Sequence, residues 1–225
     1  ERRILDIEEV ESTIERIRQE EEYYLDPMGR RYPMHGCLPI AQMIGLNTGV
    51  RTKELRWLEW DCVRLSDRKS SYMNVQQATC KKTKHIGNVK TGQWRTIGIN
   101  SLLKEWLKKE RARQEELNII GQFITPSGQF DRPDRRGNVI DESQIGRSML
   151  EFNERENDIY TRPEWPTYYS YRHTFATNLL RSGEDLETVR NRMGHTSIVT
   201  TQKYLRYIDA QDSTVEDNLP WASPS

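Results

Sequence analysis

Cysteine is scarce in this chain. Cys37, Cys62 and Cys80 are its three thiols among 225 residues, and no two of them form a CxxC pair. An odd, unpaired set speaks against a disulfide framework and against a four-cysteine zinc site, and fits reduced cytoplasmic thiols. Long apolar runs are missing too. Nothing approaches the roughly 18 consecutive residues of a membrane-spanning helix, and no secretory h-region is present, so no membrane partner is expected. No low-complexity tract interrupts the chain, and no long internal repeat points to a solenoid. With 35% hydrophobic and 30% charged residues, 225 residues suit one soluble globular core, or one core with a short appendage.

Net charge is also lacking, with 34 basic against 34 acidic side chains, but the balance is uneven along the chain. Residues 1–22 carry nine acidic and four basic side chains, and residues 209–225 carry four acidic and none basic. Between residues 23 and 208 there remain 30 basic and 21 acidic groups, a net of +9. Such a middle can face a phosphate backbone, although most charged side chains only solvate a surface.

Ile4, Ile7, Val10, Ile14 and Ile17 recur at spacings of three and four and predict an amphipathic first helix. LPIAQMIGLNTG predicts a short helix stopped by a turn at residues 47–49. RTKELRWLEWDCV resumes helical spacing through Leu55 and Leu58. Arg51 then lies where a turn meets a helix N-terminus, whose free backbone NH groups favour anions. Val-, Ile-, Thr- and Tyr-rich text follows and predicts strands near 72–79, 84–90 and 94–99. A tight turn at 91–93 puts Lys90 at a hairpin edge. SLLKEWLKKERARQEEL, DESQIGRSMLEFNERE, SYRHTFATNLLRSG and EDLETVRNRMGH predict further helices, the last with Gly194 as a left-handed cap. TPSGQFDRPDRRGN is a breaker-rich loop, either a clamp on a nucleic-acid backbone or a plain surface loop. Thr200 or Thr201 would cap a final helix, TTQKYLRYI, with Tyr204, Tyr207 and Ile208 on one face. The expected fold class is α+β, mostly helical with a small antiparallel three-stranded sheet.

Arg51, Lys90, Arg172, His195 and Tyr204 all stand at element ends or beside turns, where such residues usually serve only the surface. One chemistry would need all five, transesterification at a phosphodiester. Two guanidiniums hold nonbridging oxygens and stabilise charge on phosphorus, while a lysine protonates the departing oxygen. A tyrosine is the covalent nucleophile, and a histidine hydrogen-bonds the phosphate or assists its activation.

TGVRTKELRWLEWDCV, VKTGQWRTIGI and YSYRHTFATNLLRSGEDLETVRNRMGHTSIVTTQKYLRY together resemble the catalytic domain of the tyrosine recombinase and phage integrase family, over about residues 35–208. Arg51 falls on the family's first arginine, inside a TGxR turn. Lys90 falls on its hairpin lysine, with Lys84 and the pair Lys81 and Lys82 as alternatives. Arg172 falls on the second arginine, before HTFAT, and His195 on the histidine after a capping glycine. Tyr204 follows His195 by nine residues, the family's usual interval to its nucleophile, which Tyr207 fits less well. Tyr169 departs from the pattern, because histidine or lysine usually stands three residues before the second arginine. A phenol can donate to a phosphate oxygen, but with a reference pKa near 10 it is a poor proton shuttle at neutral pH, so a reduced or differently tuned activity is implied. His173 lies ~100° round the helix from Arg172 and reads as a core or cap histidine.

The resemblance implies a site-specific DNA recombinase or integrase that needs no metal and no cofactor. Tyr204 would attack a phosphate of double-stranded DNA to form a 3'-phosphotyrosyl link, and a 5'-hydroxyl from a partner strand would reverse the step. The same chemistry could instead relax DNA or close hairpin ends, and a non-cleaving DNA-binding relic is the alternative of another class. Also implied are four protomers on two DNA sites, a prokaryotic cytoplasmic location, and a separate helical DNA-binding domain not contained in this chain. Residues 1–30 are expected to form a linker or flanking helix and residues 31–208 the catalytic domain. Residues 209–225 form a tail whose Val215, Leu219 and Trp221 pack on a neighbouring protomer or fold back on their own domain.

Overall fold

The computed structural model of the chain describes residues 3–19, 23–25, 31–33, 37–76, 94–116, 118–119, 121–126, 142–155 and 165–208. An amphipathic helix, α1 (Ile7–Gln19), precedes a two-stranded antiparallel hairpin of β1 (Tyr23–Leu25) and β2 (Arg31–Pro33). Next come α2 (Leu38–Thr48), the single turn α3 (Thr52–Leu55), and the strands β3 (Val63–Arg64), β4 (Ser71–Gln76) and β5 (Trp94–Ile99). The helices α4 (Ser101–Glu116), α5 (Glu142–Arg155), α6 (Tyr168–Arg181), α7 (Leu186–Met193) and α8 (Ile198–Gln202) complete the order.

The core is built around α2. Its sequence LPIAQMIGLNT carries no charge, and Ile40, Ala41, Met43 and Ile44 are all buried. An uncharged helix buried on nearly every side has to be surrounded, and α1, α4, α5 and α6 all pack on it. Leu5, just before α1, and Ile17 within it reach this core, and the Leu5 amide donates to Thr174 Oγ1 of α6 at 2.9 Å. A second, smaller cluster joins Ala176 and Leu180 of α6 to Val189 and Met193 of α7 and to Tyr204.

Among the described residues the sheet is antiparallel and three-stranded, in the order β3-β4-β5, and it includes one strand that the sequence did not predict. The strands expected near 72–79 and 94–99 are β4 and β5, whereas 84–90, Lys90 included, lies outside the described residues. The third strand is β3, where helical spacing had suggested a helix running on. α3 stops at Leu55 because the following chain is engaged elsewhere. Ile124 N donates to Leu58 O at 2.9 Å, Trp60 N donates to Gln122 O at 2.8 Å, and Val63 pairs with Met73. β5 alternates cleanly, with Arg95, Ile97 and Ile99 buried and Trp94, Thr96 and Gly98 exposed.

The last helix also differs from expectation. α8 starts at Ile198, capped by the Ser197 hydroxyl, and ends at Gln202. Thr200 and Thr201, the caps expected, lie inside this helix rather than before it, and the Thr201 hydroxyl faces His195 Nδ1 at 2.9 Å. Tyr204 therefore sits in a turn that leads into a short 3-10 segment, Leu205–Tyr207. Tyr204 and Ile208 join the second cluster, while Tyr207 turns outward and its hydroxyl accepts from Arg206 at 2.7 Å. Cys37 and Cys62 are free thiols. Cys80, residues 127–138 of the breaker-rich loop, and Val215, Leu219 and Trp221 lie outside the described residues. Among the described residues, no helix is long and apolar enough to cross a membrane.

Gly49 joins these parts. It ends α2 in a left-handed conformation at φ 61°, and a Cβ there would meet Phe175 Cδ1 at 2.7 Å and Met193 Sδ at 2.9 Å. Gly49→Ala is expected to cost about 2–4 kcal/mol from backbone strain and overpacking together, measured by denaturant unfolding. Unchanged stability would mean that the junction of α2, α6 and α7 yields more easily than its geometry suggests.

Candidate active site

Two left-handed glycines bring distant residues to one place. Gly49 turns the chain out of α2 so that Arg51 opens α3, and Gly194, at φ 62°, turns it out of α7 into His195. Arg172 enters from the first half of α6, where it is 2% exposed. Its guanidinium donates to Gly49 O, to Met193 O at 2.5 Å and to His195 Nε2 at 3.1 Å. One side chain thus holds both turns. Arg51 donates from its other side, to Gly194 O at 3.1 Å.

A buried carboxylate organises the cations. Glu54 lies three residues after Arg51 and is 4% exposed. Its oxygens accept from the Arg51 amide at 2.9 Å and from the Arg51 guanidinium at 3.0 Å. Arg95 of β5 grips the same carboxylate with two bonds, of 2.9 and 2.7 Å, and sends its Nε to Arg192 O at 2.9 Å. Burial opposes ionisation of Glu54, but the bonds and charges of Arg95 and Arg51 outweigh it and hold the carboxyl below its usual range. Burial likewise pulls the Arg172 guanidinium down to about 10, with the Arg51 charge acting in the same direction, so it remains a cation at neutral pH. Three guanidiniums around one carboxylate leave an excess of positive charge that suits an entering anion.

Depression of the Glu54 carboxyl has a pH signature. Stability from a lowered carboxyl is fully present above the unfolded value and is lost as pH falls through the folded one. Glu54→Gln is therefore expected to destabilise the chain at neutral pH and to flatten its acid-side loss of stability, read from unfolding midpoints between pH 3 and 7. An unchanged acid limb would assign that loss to other carboxyls.

Four of the six expected residues converge. Arg51 and Arg172 frame the cluster, His195 accepts from Arg172, and the Tyr204 ring stacks on the His195 ring at 6.2 Å with 5° between planes. Tyr204 is a packed aromatic, 1% exposed, whose hydroxyl nevertheless lies 2.8 Å from His173 Nδ1. Tyr169 stands at the rim, 52% exposed, with its ring edge-on to His173. Lys90 lies outside the described residues, four positions before β5 begins at Trp94. Beside His195 opens a cavity of about 810 Å³ whose lining includes Trp94, Arg95, Arg190 and Arg192.

Glu54 and Arg95 carried no expectation from sequence, and His173 read there only as a core or cap histidine. An arginine at a strand position shared with Ile97 and Ile99 marks a buried charge in need of a partner, so Arg95 could have been found. His173 shares a helix face with Tyr169, four residues before it, and that register carries more information than its angle from Arg172.

The sequence profile of the phage integrase family matches residues 13–211. The chain belongs to the phage integrase family. Among proteins similar to this family member, the tyrosine recombinase XerC of Rickettsia prowazekii (strain Madrid E) is 39% identical over 70 residues, 31% of this chain and 22% of its own length. The tyrosine recombinase XerC-like protein of Caldanaerobacter subterraneus subsp. tengcongensis is 26% identical over 191 residues, 79% of this chain and 47% of its own. This phage integrase family chain thus spans less than half the length of either recombinase. The fold is similar to that of the Tn1549 transposon integrase solved with a circular intermediate DNA, at a TM-score of 0.67 and 17% identity, over 96% of this chain and 65% of that one.

Proposed function

We propose that this chain breaks and rejoins DNA by transesterification, as a site-specific recombinase or integrase. What carries the reading is the convergence of Arg51, Arg172, His195 and Tyr204 from four separate turns and helices onto one positively charged, mostly buried cluster. A phosphodiester entering it would meet guanidinium donors for its nonbridging oxygens and a phenol for in-line attack. Tyr204 attacks phosphorus to form the 3'-phosphotyrosyl link, and Lys90 protonates the departing 5'-oxygen. Rejoining runs the same step backwards, so no metal or energy source is required.

Double-stranded DNA is the partner in this reading, favoured by the +9 net charge of residues 23–208. The catalytic unit is residues 31–208, flanked by residues 1–30 and by a tail at 209–225. Four protomers on two paired sites, working in a prokaryotic cytoplasm, complete the assignment. A library of nicked duplexes with a randomised centre tests it. The chain should enrich a defined sequence among adducts that survive SDS, and failure to exceed the background of Tyr204→Phe would sink the reading.

A further inference from the structure

His173 is buried, at 7% exposure, and its Nδ1 lies 2.8 Å from the Tyr204 hydroxyl. Its ring tilts against Tyr204 at 5.5 Å and meets the edge of Tyr169 at 5.3 Å. The other imidazole of the cluster is turned to different work. A guanidinium can only donate, so His195 Nε2 accepts from Arg172 at 3.1 Å, and the ring proton on Nδ1 goes to Thr201 Oγ1 at 2.9 Å. The His195 and Tyr204 rings lie parallel with their centroids 6.2 Å apart, whereas His173 brings its Nδ1 within hydrogen-bond distance of the phenol oxygen. Tyr169 is itself a phenol. At neutral pH an ordinary phenol keeps its proton and an ordinary imidazole offers a free lone pair.

We infer that His173 accepts the proton of Tyr204 as attack begins and returns it when the strands are rejoined. The inference rests on the transesterification reading. The Tyr204 O–H bond breaks as its proton passes to His173 Nδ1, and the phenolate oxygen forms the new bond to phosphorus. The bond from phosphorus to the 5'-oxygen breaks with its electron pair on that oxygen, which takes a proton from the Lys90 ammonium. Neighbouring positions on α6 thus divide the labour, with Arg172 holding the anion and His173 activating its attacker. The sequence offers no histidine at position 169, yet one helical turn further on it places one against the nucleophile.

Single-turnover adduct formation on a duplex recovered from the library tests this. His173→Asn keeps a short amide acceptor near Nδ1 but cannot hold the proton, and the rate should fall about 10²–10⁴-fold with the thermal unfolding midpoint little changed. Installing at position 204 a fluorinated tyrosine whose phenol ionises near neutral pH should then restore most of that loss. A His173→Asn chain that cuts at the original rate or faster, or a fluorinated tyrosine that restores nothing, overturns the assignment. A second measurement needs no DNA. In nitrogen NMR spectra of the imidazoles, His173 should carry its proton on Nε2, and its Nδ1 signal should move in Tyr204→Phe. A proton on Nδ1 at neutral pH overturns the proposal. Absence of any adduct with the unaltered chain strikes instead at the transesterification reading.

Discussion

Tyr204→Phe is expected to form no SDS-stable adduct with DNA, while Tyr207→Phe forms it at the unaltered rate. Phenylalanine keeps the ring that packs among Ala176, Leu180, Val189 and Met193 and stacks on His195, so folding should survive. What is removed is a single oxygen, the one 2.8 Å from His173 Nδ1. Tyr207 lacks this setting. Its hydroxyl meets Arg206 on the surface, at 2.7 Å. Gel mobility under denaturing conditions reads the difference, and adducts in Tyr204→Phe that equal those of the unaltered chain would remove Tyr204 from the chemistry.

Arg172→Lys should lower the adduct rate by about two to three powers of ten, the effect of losing roughly 3–4 kcal/mol of transition-state stabilisation. The Arg172 guanidinium reaches Gly49 O, Met193 O and His195 Nε2 at once, and a planar fork can do so where a single ammonium cannot. Burial already pulls the guanidinium down to about 10, and an ammonium, ordinarily easier to deprotonate, would be driven toward neutrality in the same place. The loss should therefore deepen with rising pH in the lysine variant before it does in the unaltered chain. A rate within threefold would mean that charge alone, without the fork, suffices at this position.

Much of the fold is legible in local text. The mostly apolar, uncharged run of α2, the alternation of β5 and the glycines that end α2 and α7 are local signals, and the structure places each where its text predicts. β3 was not legible, because Leu58 and Trp60 just before it bond to Ile124 and Gln122, some sixty positions away, and β3 itself is defined by its pairing with β4. The last helix was misread for a related reason. Thr200 and Thr201 have the right chemistry for a cap, but Ser197 caps a helix that begins before them, and the Thr201 hydroxyl goes to His195. At the site, Arg51, Arg172, His195 and Tyr204 could be picked out by type and spacing. Glu54 and Arg95 could not be paired from sequence, since 41 residues separate them and only the fold brings one carboxylate to two guanidiniums. For His173 the decisive fact is its distance to a phenol 31 residues further along.

The Tyr204 hydroxyl, 2.8 Å from His173 Nδ1, is expected to become bonded to DNA. Mass spectrometry of the nuclease-trimmed adduct, digested to peptides, tests that most directly by locating the residue that bears the nucleotide phosphate. A phosphodiester-linked nucleotide on Tyr204 alone is expected. A nucleotide on Tyr207, on Tyr169 or on a serine would contradict it.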